Sequence, residues 1–231
     1  MTKSTKKTST PKPRNIPGIS FLRDRYIGFL AAVFFITRIG CWLAGVRFDA
    51  YVNVHLMHFV PSALLREHLW ASVIHLHNQP PLFNLFLGIV YTLFPGSSSV
   101  VFHTIYLVLG LTLTLSLYSV MTRLGVMKKL AAALTVLFIA SPACILYENL
   151  LLYCYPVTVM LCLGVLFLVR FLEKGCTLDL LCFFCLTAAV VLTRSMYHLV
   201  WFAAFPVLLI VFRRNEWKRI LAAALIPFMA V

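Results

Sequence analysis

The sequence predicts an all-α polytopic transmembrane helix bundle with an interfacial helical segment after its first transmembrane helix. Hydrophobic residues make up 61% of the 231 and charged residues 12%. A soluble domain carries roughly 45–50% and about 25%. The apolar residues gather in runs of membrane-crossing length between short polar turns, and the mean hydropathy is +0.93. Together these exclude a disordered chain, a disulfide mini-scaffold and an ordinary soluble enzyme.

Residues 1–25 are expected to be a disordered basic cytoplasmic tail. They carry seven Lys and Arg against Asp24, within a chain of formal charge +13. No cleavage site follows, and the next apolar run is too long for a signal peptide. The basic residues elsewhere sit at the ends of apolar runs, which is the positive-inside pattern with attraction to anionic membrane lipids. No stacking aromatics interleave with them, so nucleic acid is not a predicted partner. The cysteines are Cys41, Cys144, Cys154, Cys162, Cys176, Cys182 and Cys185. Nearly all lie in apolar segments and read as small hydrophobes, including the Cys182–Cys185 pair.

Tyr26–Val46 is 21 residues, about 31 Å at helical rise, which is one crossing. Residues 47–79 form an outer loop, too polar to span and too apolar to float free. Such a segment lies in the interface as amphipathic helices, with Tyr51 and Trp70 as headgroup-level anchors. The further runs are Pro81–Phe94, Ser99–Met121, Leu130–Leu146, Leu150–Phe171, Leu178–Leu192, His198–Phe212 and Ile220–Val231. Arg123, Lys128, Lys129, Arg170, Lys174, Arg213, Arg214, Lys218 and Arg219 place their turns inside. Glu148-Asn149 and Arg194–Tyr197 then fall outside. The parity closes only if Pro81–Phe94 begins and ends on the outer side. At 14 residues, about 21 Å, it is short for a crossing and reads as re-entrant or interfacial. The last run reaches Val231 without a polar exit, so the chain reads as truncated at its C-terminus.

Ionisable groups at membrane depth or at its rim are candidate functional residues. Asp49 follows the first helix. A carboxylate there can orient or deprotonate an acceptor, and the alternative is a helix N-cap. In His75-Leu76-His77-Asn78-Gln79-Pro80-Pro81 the two prolines fix a helix start, and His77 and Gln79 stand at headgroup depth. His55 and His58 share a helix face and, with Glu67, form a candidate divalent-metal set. The other reading is of phosphate contacts or plain interfacial residues. Glu148 and the group Arg194, Tyr197 and His198 lie at outer helix ends. Arg194 is a counter-ion either for Glu148 or for a phosphate, which its fork of donors suits. Arg38, inside the first helix, either snorkels outward or pairs with Glu148, and no role is assigned to it.

An Asp just after the first helix, an interfacial segment ending in His77-Asn78-Gln79-Pro80-Pro81-Leu82, and a later acid in an outer loop resemble the GT-C superfamily. These are integral-membrane glycosyltransferases that use polyprenyl-phosphate sugars. The likeness is to the bacterial branch related to dolichyl-phosphate-mannose protein mannosyltransferases and lipid A aminoarabinose transferases. It covers most of residues 26–231, the N-terminal portion of a typical member. The resemblance implies a GT-C-like bundle in the bacterial inner membrane. It also implies sugar transfer from a polyprenyl-phosphate donor to a lipid, glycan or protein acceptor. Asp49 matches the family's first-loop acid, which binds the acceptor and acts as base. Glu148 matches the second acid, which orients partner groups, and His77 matches the donor-phosphate contact. Many members carry paired acids where this chain has Asp49-Ala50. The competing classes are a transporter or flippase of a lipid-linked substrate and an inactive truncated membrane protein. A transporter calls for polar groups on broken helices near the midplane.

Overall fold

The computed structural model describes residues 24–50, 59–75 and 80–229. Residues 1–23, and with them most of the basic tail, lie outside these, as do Tyr51, His55, His58, His77 and Gln79. Asp24 opens helix α1 (Arg25–Leu43), its carboxylate accepting from the Tyr26 amide at 3.1 Å. After the outer loop's short helices α2 (Ser62–Glu67) and α3 (Leu69–His75) come α4 (Pro81–Leu93) and α5 (Ser98–Arg123). The chain continues through α6 (Lys128–Ile139), α7 (Pro142–Glu148), α8 (Cys154–Lys174) and α9 (Thr177–Val191). It ends in α10 (Leu199–Phe212), a 3-10 turn at Arg214–Glu216, and α11 (Trp217–Phe228).

Among the described residues α1, α5 and α8 are long and apolar enough to cross a membrane. The pair α6 and α7 makes a fourth span if its 60° bend is allowed. This is a polytopic helical membrane protein. The bend corrects the expectation of one straight run over Leu130–Leu146. Pro142 lacks the amide that would continue α6, and its ring opposes the carbonyl a turn back. The run is apolar throughout, so hydropathy does not see the break. The segments expected as crossings at Leu178–Leu192, His198–Phe212 and Ile220–Val231 become α9, α10 and α11. Their 15, 14 and 12 residues fall short of the roughly 20 a full crossing needs.

Hydroxyls along α5 find partners within the helix, as a span in hydrocarbon requires. Thr112, Thr114, Ser116, Ser119 and Thr122 each donate to the carbonyl one turn back, at 2.6 to 3.0 Å. Helix packing is apolar in three zones. One joins α1, α5 and α6 through Leu30, Tyr118 and Ala131. One joins α4, α5 and α8 through Leu87, Phe102, Tyr106 and Tyr155. The third joins α8 to α11 through Phe171, Phe184, Phe202 and Ile220.

The bundle has two chemically different ends. At the basic end four of the acids are engaged. Asp24 accepts from Lys128 at 2.7 Å and from Tyr118 at 3.2 Å. Glu173 pairs with Arg123, Asp179 with Arg170, and Glu216 with Arg213 and Arg219. Arg213 and Arg219 also donate to the Leu172 and Gly175 carbonyls that close α8. The turns assigned inside by charge thus meet at one end of the molecule.

Helix α4 stays at the other end. Phe83 packs edge-on against Tyr153, just before α8, with centroids 5.9 Å apart. Phe86 and Tyr91 both pack on Phe102, in the first turns of α5, at 5.5 and 5.3 Å. Both ends of α4 therefore meet the bundle where α5 and α8 begin, as the parity of the turns requires. Helices α2 and α3 cover its remaining face. A Cβ on Gly88 would meet the tip of the Leu69 side chain, so glycine lets α3 lie close without Leu69 having to shift. The buried Asn84 side chain accepts from Val60 N at 3.3 Å and ties the loop to α4. Trp70 remains two-thirds exposed, where a headgroup-level ring belongs.

Candidate functional site

The break between α6 and α7 frees backbone groups that hydrocarbon cannot solvate. The Ser141 hydroxyl donates to Phe138 O at 2.7 Å and accepts from Cys144 N at 3.3 Å. Arg38, from α1, donates through Nη1 to Ile139 O at 2.9 Å and to Thr37 Oγ1 at 3.0 Å. The rest of its fork grips the acid that ends α7. Nε donates to Glu148 Oε1 at 2.8 Å and Nη2 to Oε2 at 2.6 Å. Tyr155, from α8, donates its hydroxyl to Oε2 at 2.7 Å. The guanidinium also stands 4.3 Å from the centroid of the Phe34 ring.

This ion pair is closed to solvent, with side-chain exposures of 9% for Arg38 and 1% for Glu148. Gly110 on α5 makes room for it. A Cβ there would lie 2.5 Å from Glu148 Oε2 and 2.9 Å from both the Tyr155 hydroxyl and the Phe34 ring. Glu148 is an acid that holds α1, α7 and α8 in register. Its counter-ion is Arg38, which corrects the alternative that Arg194 fills that role. The two arginines differ in depth: Arg38 comes from inside a neighbouring helix, while Arg194 lies beyond the end of α9.

Asp49 is brought to the same corner by its backbone. Its amide donates to Asn149 O at 2.8 Å, and its carbonyl accepts from Leu151 N at 3.0 Å. The two outer segments thus form a short parallel bridge, Asp49 to Leu150. Aromatic packing pins the strap. Phe48 stacks on His103 at 5.2 Å and meets Tyr106 edge-on at 5.4 Å. Tyr106 stacks on Tyr155 at 5.9 Å and donates to Leu152 O at 2.7 Å. Asp49 is therefore bridged to the residue two positions after Glu148.

Arg194 packs on the C-terminal end of the same linker. Its guanidinium stands 5.3 Å from the Tyr153 ring centroid and 3.9 Å from Cys154 Sγ. Tyr153 in turn touches Phe59 and Phe83. Leu82 N donates to Leu192 O at 2.9 Å, so the double-proline start of α4 docks two residues from Arg194. Leu150, bridged to Asp49, and Tyr153, under Arg194, are three Cα steps apart. At about 3.8 Å a step they lie no more than about 11 Å from one another. Tyr197 packs on Trp201 at 4.9 Å, and His198 is exposed and caps α10. The Tyr197 amide donates to Arg194 O at 3.1 Å and closes the turn between α9 and α10.

The structure thus gathers Asp49, Glu148 and Arg194 around Leu150–Tyr153, with Tyr197 and His198 at the next turn. His77 and Gln79 lie outside the described residues, as do His55 and His58 of the candidate metal set. Among the described residues no group of three His, Cys, Asp or Glu side chains is placed to hold a metal ion. Sequence reasoning missed Tyr155, Gly110, Tyr153 and His103 and gave Arg38 no role. For Arg38 a signal existed, since an arginine within an apolar helix requires an acceptor. The others are ordinary residues of apolar helices until packing brings them together. No family model matches the chain, and neither a curated protein nor a solved structure matches it.

Proposed function

We propose that this protein is a membrane glycosyltransferase. It moves a sugar from a polyprenyl-phosphate donor to an acceptor at the end of the bundle opposite its basic turns. The observation that carries the reading is that an acid and a cation are held against the two ends of one short linker, residues 150–153. Asp49 is bridged to Leu150, and Arg194 lies over Tyr153. The likeness of residues 26–231 to the GT-C pattern points the same way, and with it the bacterial inner membrane as the location.

In this reading the acceptor oxygen attacks the anomeric carbon of the donor while the bond from that carbon to the phosphate oxygen breaks. The acceptor proton passes to Asp49 and then to water, the role of a general base. The bonding pair leaves with polyprenyl phosphate, whose charge Arg194 and His77 hold. Displacement from one face inverts the anomeric centre. Glu148 is a positioning residue. It fixes Asn149, whose carbonyl holds the Asp49 amide, and its own oxygens are occupied by Arg38 and Tyr155. The test is sugar transfer from a radiolabelled polyprenyl-phosphate sugar by the full chain in membranes. Asp49→Asn should abolish most of it. Transfer at wild-type rate in that variant, or none from any such donor with the intact chain, refutes the reading.

One observation favours a second reading, transport of a lipid-linked substrate. A bent span with a charged pair at its break is a device of transporters. Against it, the break falls at Ala140-Ser141, about 20 Å along the span from Lys128 at helical rise, past the midplane of a 30 Å core. Flipping of a fluorescent polyprenyl-phosphate lipid in vesicles, without sugar transfer, would establish it instead.

A further inference from the structure

At the basic end the turn between α8 and α9 is clasped by the turn between α10 and α11. Arg213 donates to Leu172 O and Arg219 to Gly175 O, each at 2.6 Å, and Lys174 lies between these two anchored positions. Arg214 directly follows the first clasping arginine, and Lys218 directly precedes the second. We propose that Lys174, Arg214 and Lys218 bind the phosphate of an anionic glycerophospholipid whose acyl chain lies along α11. The site stands at the opposite end of the bundle from Asp49 and Arg194, and it does not depend on the transferase reading.

Three observations carry it. The first is charge. The acids of these turns are already taken, Glu173 by Arg123, Asp179 by Arg170, and Glu216 by Arg213 and Arg219. Among the described residues Lys174, Arg214 and Lys218 enter no ion pair, and all three are exposed. A phosphodiester supplies the missing anion, whereas a zwitterionic headgroup brings a cation of its own. The second is the apolar surface that starts at the same turn. Trp217, Leu221, Leu225 and Phe228 share one face of α11, and each is 37–55% exposed. The adjoining face, with Ile220, Ala223 and Ala224, is buried in the third apolar zone. From Trp217 to Phe228 the exposed stripe runs about 17 Å at helical rise, about half of a 30 Å core and so the depth of one leaflet. The third is the ring at the junction. Lys218 Nζ stands 5.6 Å from the centroid of the Trp217 ring, an indole of the kind that marks the level where headgroups give way to hydrocarbon. The ligand that joins a phosphate anion to hydrocarbon of one-leaflet length is an anionic glycerophospholipid.

The test is native mass spectrometry of the full chain in mild detergent, titrated with dioleoylphosphatidylglycerol or dioleoylphosphatidylcholine. The intact chain should retain phosphatidylglycerol in preference to phosphatidylcholine, a comparison that needs no variant. A cation near the headgroups is worth about fivefold in affinity for anionic lipid, so Lys174→Gln/Arg214→Gln should weaken retention about 25-fold. Arg25→Gln/Lys129→Gln removes the same charge from exposed positions of α1 and α6 at the same end and should leave retention nearly unchanged. Glycerophosphoglycerol, the headgroup without its chains, should not compete. Equal retention of the two lipids, or equal weakening by the two double variants, means a diffuse basic surface and overturns the site. Competition by glycerophosphoglycerol makes it a site for soluble phosphate and overturns the lipid. Preferential retention of undecaprenyl phosphate overturns the glycerophospholipid, and a dimer in place of the lipid adduct makes the face an interface between copies of the chain and overturns it too.

Discussion

Removing Arg38 should destabilise the protein more than removing its charge together with that of Glu148. In Arg38→Met, Glu148 keeps only the Tyr155 hydroxyl for a carboxylate that is 1% exposed. Breaking a buried pair from one side costs about 3–5 kcal/mol, because the other charge is left uncompensated. In Arg38→Met/Glu148→Gln no charge is buried, and Tyr155 keeps an acceptor. What remains lost is the donor to Ile139 O, about 1–3 kcal/mol for a buried carbonyl. The double variant should therefore be more stable than Arg38→Met by about 2 kcal/mol, the difference between these two ranges. For a chain of this length that is a recovery of about 4–8 °C in Tm. The assay is thermal unfolding in mild detergent, followed by tryptophan fluorescence, with both single variants completing the cycle. If the losses of the two single variants simply add, the charges are not coupled, and the account of the helix break fails.

Gly110→Ala pushes a methyl group into Glu148 Oε2 and the Tyr155 hydroxyl and should cost about 1–3 kcal/mol by the same unfolding assay, the range for overpacking. Gly28→Ala, with open space at its Cβ, is the control and should cost nothing. Asp49→Asn keeps the shape of the strap and should lower sugar transfer about 10²–10⁴-fold, the size of a general-base contribution. Unchanged turnover at normal expression would remove Asp49 from the chemistry. Arg194→Ala should raise the KM for the polyprenyl-phosphate sugar and leave the acceptor KM alone, with only partial rescue by Lys. A defect confined to the acceptor would contradict the assignment. At the basic end, burial raises the Asp24 carboxyl, but the Lys128 ammonium, the Tyr26 amide and the Tyr118 hydroxyl outweigh it and hold the pKa below its ordinary value. Its stabilisation is therefore complete above the unfolded pKa of 3.8 and is lost as the pH falls through the lower folded value. Asp24→Asn should make Tm less dependent on pH in that acid range, and an unchanged acid slope would show that the carboxyl contributes nothing.

The membrane bundle was legible in the sequence because hydrocarbon imposes a one-dimensional rule. A segment that crosses must be long and apolar, and Tyr26–Val46, Ser99–Met121 and Leu150–Phe171 satisfy that wherever their neighbours lie. That Pro81–Phe94 is short for a crossing was legible too, from its length alone. The break in Leu130–Leu146 was written in Ser141-Pro142, but an average of hydropathy over the run conceals it. Asp49 and Glu148 stood out as acids in an apolar chain.

What they do depends on partners that local spacing cannot supply. Arg38 and Glu148 are separated by 110 positions in the chain. They meet because α1 packs beside the broken span, where the low dielectric leaves each charge no better partner. Tyr155 and Gly110 join them from two further helices, one supplying a hydroxyl and the other the absence of a Cβ. The bridge from Asp49 to Leu150 is likewise a backbone pairing that no side-chain pattern announces. Composition and periodicity decide which segments enter the membrane, since each segment answers to the solvent alone. Which charges lie together there is decided by packing, since a buried charge answers to the few atoms that touch it.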